Sequence, residues 1–137
     1  MKNKIIFYMM AVVLFMAYTG CVKDDNTDPG SDDPRDVYTG GWSVQETWTK
    51  LAYEVTISID PNSKDGVFIY NFANLGSSGT PAAATVSGNS IVLDAGQVID
   101  GVKISGAGTL SGSKINWNYT LEDGATLIQA IATYTKR

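Results

Sequence analysis

From Tyr38 to the C-terminus, apolar and polar positions alternate with a period of two. Tyr53, Val55, Ile57 and Ile59 are separated by Glu54, Thr56 and Ser58, and Ile115, Trp117, Tyr119 and Leu121 by Asn116, Asn118 and Thr120. Successive side chains of a strand point to opposite faces, so each run predicts a strand with one buried and one solvated face. Val102, Ile104, Gly106, Gly108 and Leu110 make a third stripe, weakened by its glycines. No segment of this region carries a 3.6-residue repeat over three turns, so no long amphipathic helix is expected.

Turn-forming residues fall between the runs. Pro61 to Gly66, Gly88-Asn89, Gly112-Ser113 and Asp123-Gly124 occupy the places where hairpin loops would sit. The spacing predicts about eight strands, near Gly41 to Trp48, Leu51 to Asp60, Val67 to Phe72, Ala82 to Ser87, Ser90 to Asp94, Val102 to Ser111, Lys114 to Glu122 and Ala125 to Thr135. Short strands joined by tight turns suggest an all-β, antiparallel, up-and-down barrel, whose closure removes exposed edges; a two-sheet β-sandwich is the alternative.

A different pattern precedes this domain. Ile5 to Ala17 is a continuous apolar run of thirteen residues behind Lys2 and Lys4. A membrane span needs about 20 apolar residues, whereas a secretory h-region of about 7–15 behind a basic n-region fits. Residues 1–20 therefore read as a signal peptide. Tyr18-Thr19-Gly20 before Cys21 resembles a lipobox, with Tyr18 in place of the usual Leu. Cys21 is the single cysteine of the chain, so an intramolecular disulfide is excluded and acylation gives the exported thiol a role.

Val22 to Asp36 holds six aspartates against one lysine and one arginine, with two prolines and a glycine, and cannot form a core. Residues 21–36 thus read as a lipidated cysteine and a flexible acidic tether, and residues 37–137 as the domain. Lys23-Asp24-Asp25 resembles the export tag of surface-displayed lipoproteins of Bacteroidetes type, which implies an outer-membrane anchor facing the cell exterior. The net charge of −4 offers no basic patch for nucleic acid.

The order of motifs carries a further resemblance. Trp42-Ser43-Val44, the Tyr53 to Ile59 stripe, Asn71-Phe72, Ala84 to Asn89, Gly96-Gln97-Val98, Ser105 to Gly112 and Ala132 to Thr135 resemble small lipoproteins of Bacteroidetes type with a lipocalin-like, or calycin-like, barrel, a family labelled as lipid-binding hydrolases. Gly40-Gly41-Trp42 is similar to the Gly-x-Trp that opens the first lipocalin strand. That resemblance implies a basic residue over the Trp42 ring, a role open to Lys136 or Arg137.

Candidate chemistry is sparse. There is no histidine, so Ser-His-Asp, Cys-His and zinc sites are excluded, and no cofactor or metal is implied. The Ser105 to Gly112 glycines precede a strand and are no phosphate loop; they permit curvature or leave space opposite Trp117 and Tyr119. Glu46 follows Trp42 and Val44 at even spacing, a parity that turns it inward near Trp48, although carboxylates as a rule keep to a rim or mouth. Glycoside hydrolysis would need a second carboxylate, and nothing brings Glu54 to that place.

The rings of Trp42, Trp48, Tyr53, Phe68, Tyr70, Phe72, Trp117 and Tyr119 can line a cavity or fill it. Trp42, Trp48, Tyr53, Phe72, Trp117 and Tyr119 are the candidate ligand-binding residues. Asn71, Phe72, Asn74 and Leu75, in the connection to Pro81, are candidates for a lip at the barrel mouth. The reading that follows is a surface lipoprotein that binds a lipid-like small ligand without catalysis; the alternative is a protein- or glycan-interaction module of an outer-membrane complex, and hydrolysis ranks last.

Overall fold

A computed structural model describes residues 32–76 and 78–137. The signal segment, Cys21 and Lys23-Asp24-Asp25 lie outside the described residues. The barrel unit spans Asp33–Arg137.

Nine strands follow in order: β1 (Gly40–Glu46), β2 (Ala52–Ile59), β3 (Gly66–Tyr70), β4 (Ala82–Ser87), β5 (Ser90–Leu93), β6 (Val98–Ile99), β7 (Val102–Ser111), β8 (Lys114–Asp123) and β9 (Thr126–Lys136). Every pairing is antiparallel, and each strand lies beside its neighbour in sequence except at two joints. β1 pairs with β9 through Trp42↔Lys136 and Val44↔Tyr134. β5 passes over β6 to pair with β7 through Ile91↔Gly108. These two joints close eight strands into one barrel and exclude the two-sheet alternative. The two-residue β6 lies outside the expected strand set and pairs with β7 alone among the described strands.

Period-two patterning explains the closure. Along β8, Ile115, Trp117, Tyr119 and Leu121 are buried while Lys114, Asn116, Asn118 and Glu122 are exposed. Val55 and Ile57 of β2, Val67 and Ile69 of β3, and Ile91 and Leu93 of β5 do the same. The hairpin loops require a left-handed residue, and glycine supplies it at Gly88 and Gly112, with φ of 57° and 60°.

One end of the barrel is sealed by the chain entering it. Within the described residues, Arg35 already bonds to the barrel. Arg35 Nη1 donates to the carbonyls of Asp60 at 3.1 Å and Ser63 at 2.6 Å on the β2–β3 turn. Its Nη2 pairs with Asp33 at 2.6 Å, and that contact holds the Asp33 carboxyl down at about 2. Tyr38, fully buried, donates through its hydroxyl to the Gly88 carbonyl at 2.8 Å and accepts the Trp42 indole N–H on its own carbonyl at 2.8 Å. Lys136 Nζ lies 4.7 Å from the Trp42 ring centroid and donates to the carbonyls of Val37 and Thr39. The basic residue over Trp42 is therefore Lys136; Arg137 instead pairs with Glu54 at 2.7 Å on the outer surface.

Candidate ligand site at the barrel mouth

The opposite end, where β1 stops and β2 starts, gathers the polar chemistry of the interior. Glu46 is the last residue of β1 and keeps the inward parity of Trp42 and Val44. Its exposure is 6%, so the carboxylate lies inside the mouth and not on a solvated rim. A buried carboxylate needs donors, and three hydroxyls supply them. Thr49 donates to Oε1 at 2.7 Å, Tyr53 donates to Oε2 at 3.1 Å, and Tyr119 donates to the same Oε2.

The surroundings act on the phenols in turn. Burial, then the bond to Glu46, pushes the Tyr119 hydroxyl well above its ordinary range, and burial with the Glu46 charge does the same to Tyr53. Tyr134, on the neighbouring β9, is pushed up by burial first and by Tyr53 and Glu46 second. All three stay protonated and available as donors at neutral pH.

Among the described residues, two interior donors have no hydrogen-bond partner. The Trp117 indole N–H and the Tyr134 hydroxyl are buried without a hydrogen bond. Their rings are fully buried and lie 5.7 Å apart between centroids. An unsatisfied buried donor costs about 1–3 kcal/mol, so two in one small barrel require an explanation.

Glycine makes the room for these rings. β7 pairs Gly108 opposite Trp117 and Gly106 opposite Tyr119. A Cβ at Gly108 would come 2.9 Å from Trp117 Cδ2 and Ile115 Cγ2, and one at Gly106 would come 2.5 Å from the Asn118 carbonyl oxygen. The glycine-rich run is therefore a seat for the two β8 aromatics, as its spacing suggests.

Phe72 plugs the mouth. It follows β3 in a short 3₁₀ turn, Phe72–Asn74, and its ring meets Trp117 at 5.4 Å and Tyr119 at 5.0 Å, both edge to face. The turn is held in an unusual conformation, with positive φ at Asn71 (64°), Ala73 (52°) and Asn74 (56°). Asparagine tolerates this region, but alanine there costs about 1–2 kcal/mol. Burial of the Phe72 ring returns about 1.5–3 kcal/mol. Strain in the turn therefore offsets part of what burial of the ring contributes. The lip expected from Asn71, Phe72, Asn74 and Leu75 is this plug: Phe72 and Ala73 are buried, Leu75 packs on the core and Asn74 is exposed.

The candidate ring set divides accordingly. Tyr53 and Tyr119 meet at Glu46, Phe72 packs on Tyr119 and Trp117, and Trp42 lies at the sealed end. Trp48 is 50% exposed, because β1 ends at Glu46 and the chain turns outward through Thr47. Phe68 and Tyr70 take the outer face of β3, since Val67 and Ile69 hold its inner positions. Tyr134 was absent from the candidate set, although its spacing from Ala132 and Ala130 places it inward.

Among the described residues the mouth holds one carboxylate, with three hydroxyl partners, and Glu54 lies on the outer surface against Arg137. Glu46 and Glu54 therefore do not form the opposed pair that glycoside hydrolysis uses. No model of a known protein family matches the chain, and no curated protein matches it.

Proposed function

We propose that this chain is an exported lipoprotein, acylated on Cys21 and carried to the outer face of the outer membrane by Lys23-Asp24-Asp25. Its barrel binds an apolar or amphipathic small ligand at the mouth and performs no chemistry on it. The observation that carries the reading is the pair of unpartnered donors, Trp117 Nε1 and Tyr134 Oη, in the same interior as the buried Glu46 carboxylate. A barrel filled for stability alone gains nothing from polar atoms left unsatisfied; a barrel that accepts a polar head group uses them. The Phe72 plug on its strained turn gives such a ligand a way in.

Protein purified from its own cells and measured by native mass spectrometry tests this. The expected result is a non-covalent small-molecule adduct that organic extraction removes, in addition to the mass of the N-terminal acyl chains. A bare polypeptide without extractable ligand contradicts it.

A second reading has its own support. Beyond Ala132, β9 runs past the end of β1, and Leu127 and Ile131 stand exposed on it beside the Thr47 turn. A half-open depression of about 460 Å³ lies there, walled by Thr47, Asn118, Gln129 and Ile131. An exposed apolar strand edge is a place where a partner chain adds a strand. Crosslinking in intact cells through Ile131 would return a discrete protein partner under this reading and none under the first.

A further inference from the structure

The electrostatics and hydrogen-bond capacity of the mouth restrict the head group it takes. On the acceptor side stands Glu46, already bonded by Thr49, Tyr53 and Tyr119. Each carboxylate oxygen offers two lone pairs, so Oε1, with Thr49 as its hydroxyl partner, retains capacity for one more donor. On the donor side stand Trp117 Nε1 and Tyr134 Oη, which call for an acceptor.

Among the described residues, no basic side chain forms an ion pair with Glu46. Among the described basic residues, Arg35 is bound to Asp33 and the β2–β3 turn, Lys136 lies over Trp42 at the sealed end, and Arg137 and Lys103 pair with Glu54 and Glu122. Lys64 and Lys114 are exposed, and Lys50, in the loop after β1, is exposed as well. A second anion brought beside Glu46 would meet like charge in an interior of low dielectric, without a counter-ion. An ammonium head would leave the Trp117 indole N–H, which can only donate, without an acceptor.

Resting on the reading of the mouth as a ligand site, we infer that it takes a neutral amphiphile whose head both donates and accepts, a hydroxyl or a primary amide, and rejects carboxylate-headed chains. The head accepts from Trp117 and Tyr134 and donates to Glu46, while the apolar chain takes the place that Phe72 leaves when the plug opens.

The test uses the ¹⁵N-labelled protein and three ligands of one length: 1-octanol, octanamide and octanoate. Octanamide and octanoate share a shape and differ in charge, so the comparison isolates the head group. The three tryptophans give three indole N–H cross-peaks, and Trp117→Phe assigns one of them. Octanol and octanamide are expected to bind and move the Trp117 peak downfield, with octanoate at least tenfold weaker at pH 7. Glu46→Gln should recover octanoate binding by at least tenfold. Octanoate binding as tightly as octanamide to the unaltered protein overturns the head-group inference while the interior site stands. A Trp117 peak that no ligand moves overturns both.

Discussion

Adding a single methyl group at Gly108 tests whether Trp117 is seated as described. In Gly108→Ala the new Cβ would lie 2.9 Å from Trp117 Cδ2, 2.9 Å from Ile115 Cγ2 and 3.0 Å from Ile91 Cγ2. Relaxed carbon contacts lie at about 3.5–4.0 Å, so three neighbours must retreat together. All three are fully buried and packed from behind, and none is the free end of a flexible chain. Overpacking of this kind costs about 1–3 kcal/mol. Alanine recovers about 0.4–1 kcal/mol by restricting the unfolded chain. With three neighbours displaced together the upper part of that range applies, about 2–3 kcal/mol, so the net loss is about 1–2.6 kcal/mol, or a fall in Tm on the order of 4–20 °C for a domain of this size. Urea and thermal unfolding followed by tryptophan fluorescence would measure it. An alanine variant as stable as the parent would refute the seating of Trp117 against β7.

Other consequences follow from the same geometry. Tyr119→Phe removes one of two phenols from Glu46 Oε2 inside the mouth and should cost about 1.5–3 kcal/mol in urea unfolding, with no change in strand content by circular dichroism. Lys136→Met loses the contact with Trp42 and two carbonyl bonds at the sealed end, and should lower stability by about 1–2 kcal/mol while leaving ligand affinity unchanged in titration. Alkaline pH should destabilise the fold. Tyr53, Tyr119 and Tyr134 have raised values in the folded state, so their contribution is intact below the ordinary value of about 10 and falls as pH rises above it. Tyr134 alone gives a slope of about 1.4 kcal/mol per pH unit there. Unfolding midpoints between pH 8 and 11 measure the fall, and Tyr134→Phe should flatten it.

The barrel was legible because its information is local and periodic. Alternation along Tyr53 to Ile59 and Ile115 to Leu121 defines inner faces, and glycine at Gly88 and Gly112 marks turns that L-residues resist. The two-residue β6 carries no period, and its existence depends on pairing with β7. Gly106 and Gly108 could be matched to Trp117 and Tyr119 because a tight hairpin fixes register. Phe68 and Tyr70 show the opposite case: their parity against Val67 and Ile69 places them outside, whatever their aromatic character.

Much less of the site could be read. Glu46 has inward parity, but charged residues rarely go inside, and its partners Tyr53 and Tyr119 lie 7 and 73 residues away along the chain. Closure of the sheet brings them together, and nothing local encodes that meeting. The Phe72 plug was foreseen as a lip only from loop length, since its turn uses positive φ at Asn71, Ala73 and Asn74 without the glycine that normally signals it. The two unpartnered donors exist only in three dimensions.

The central claim, an interior site behind a movable plug, is tested most directly by the ring contacts of Phe72 in solution. Nuclear Overhauser effects should connect Phe72 to Trp117 and Tyr119 in the free protein and disappear on saturation with 1-octanol, while contacts between Lys136 and Trp42 at the sealed end persist. Phe72 contacts that survive saturation would contradict the account, because the ligand would then be bound somewhere other than beneath the plug.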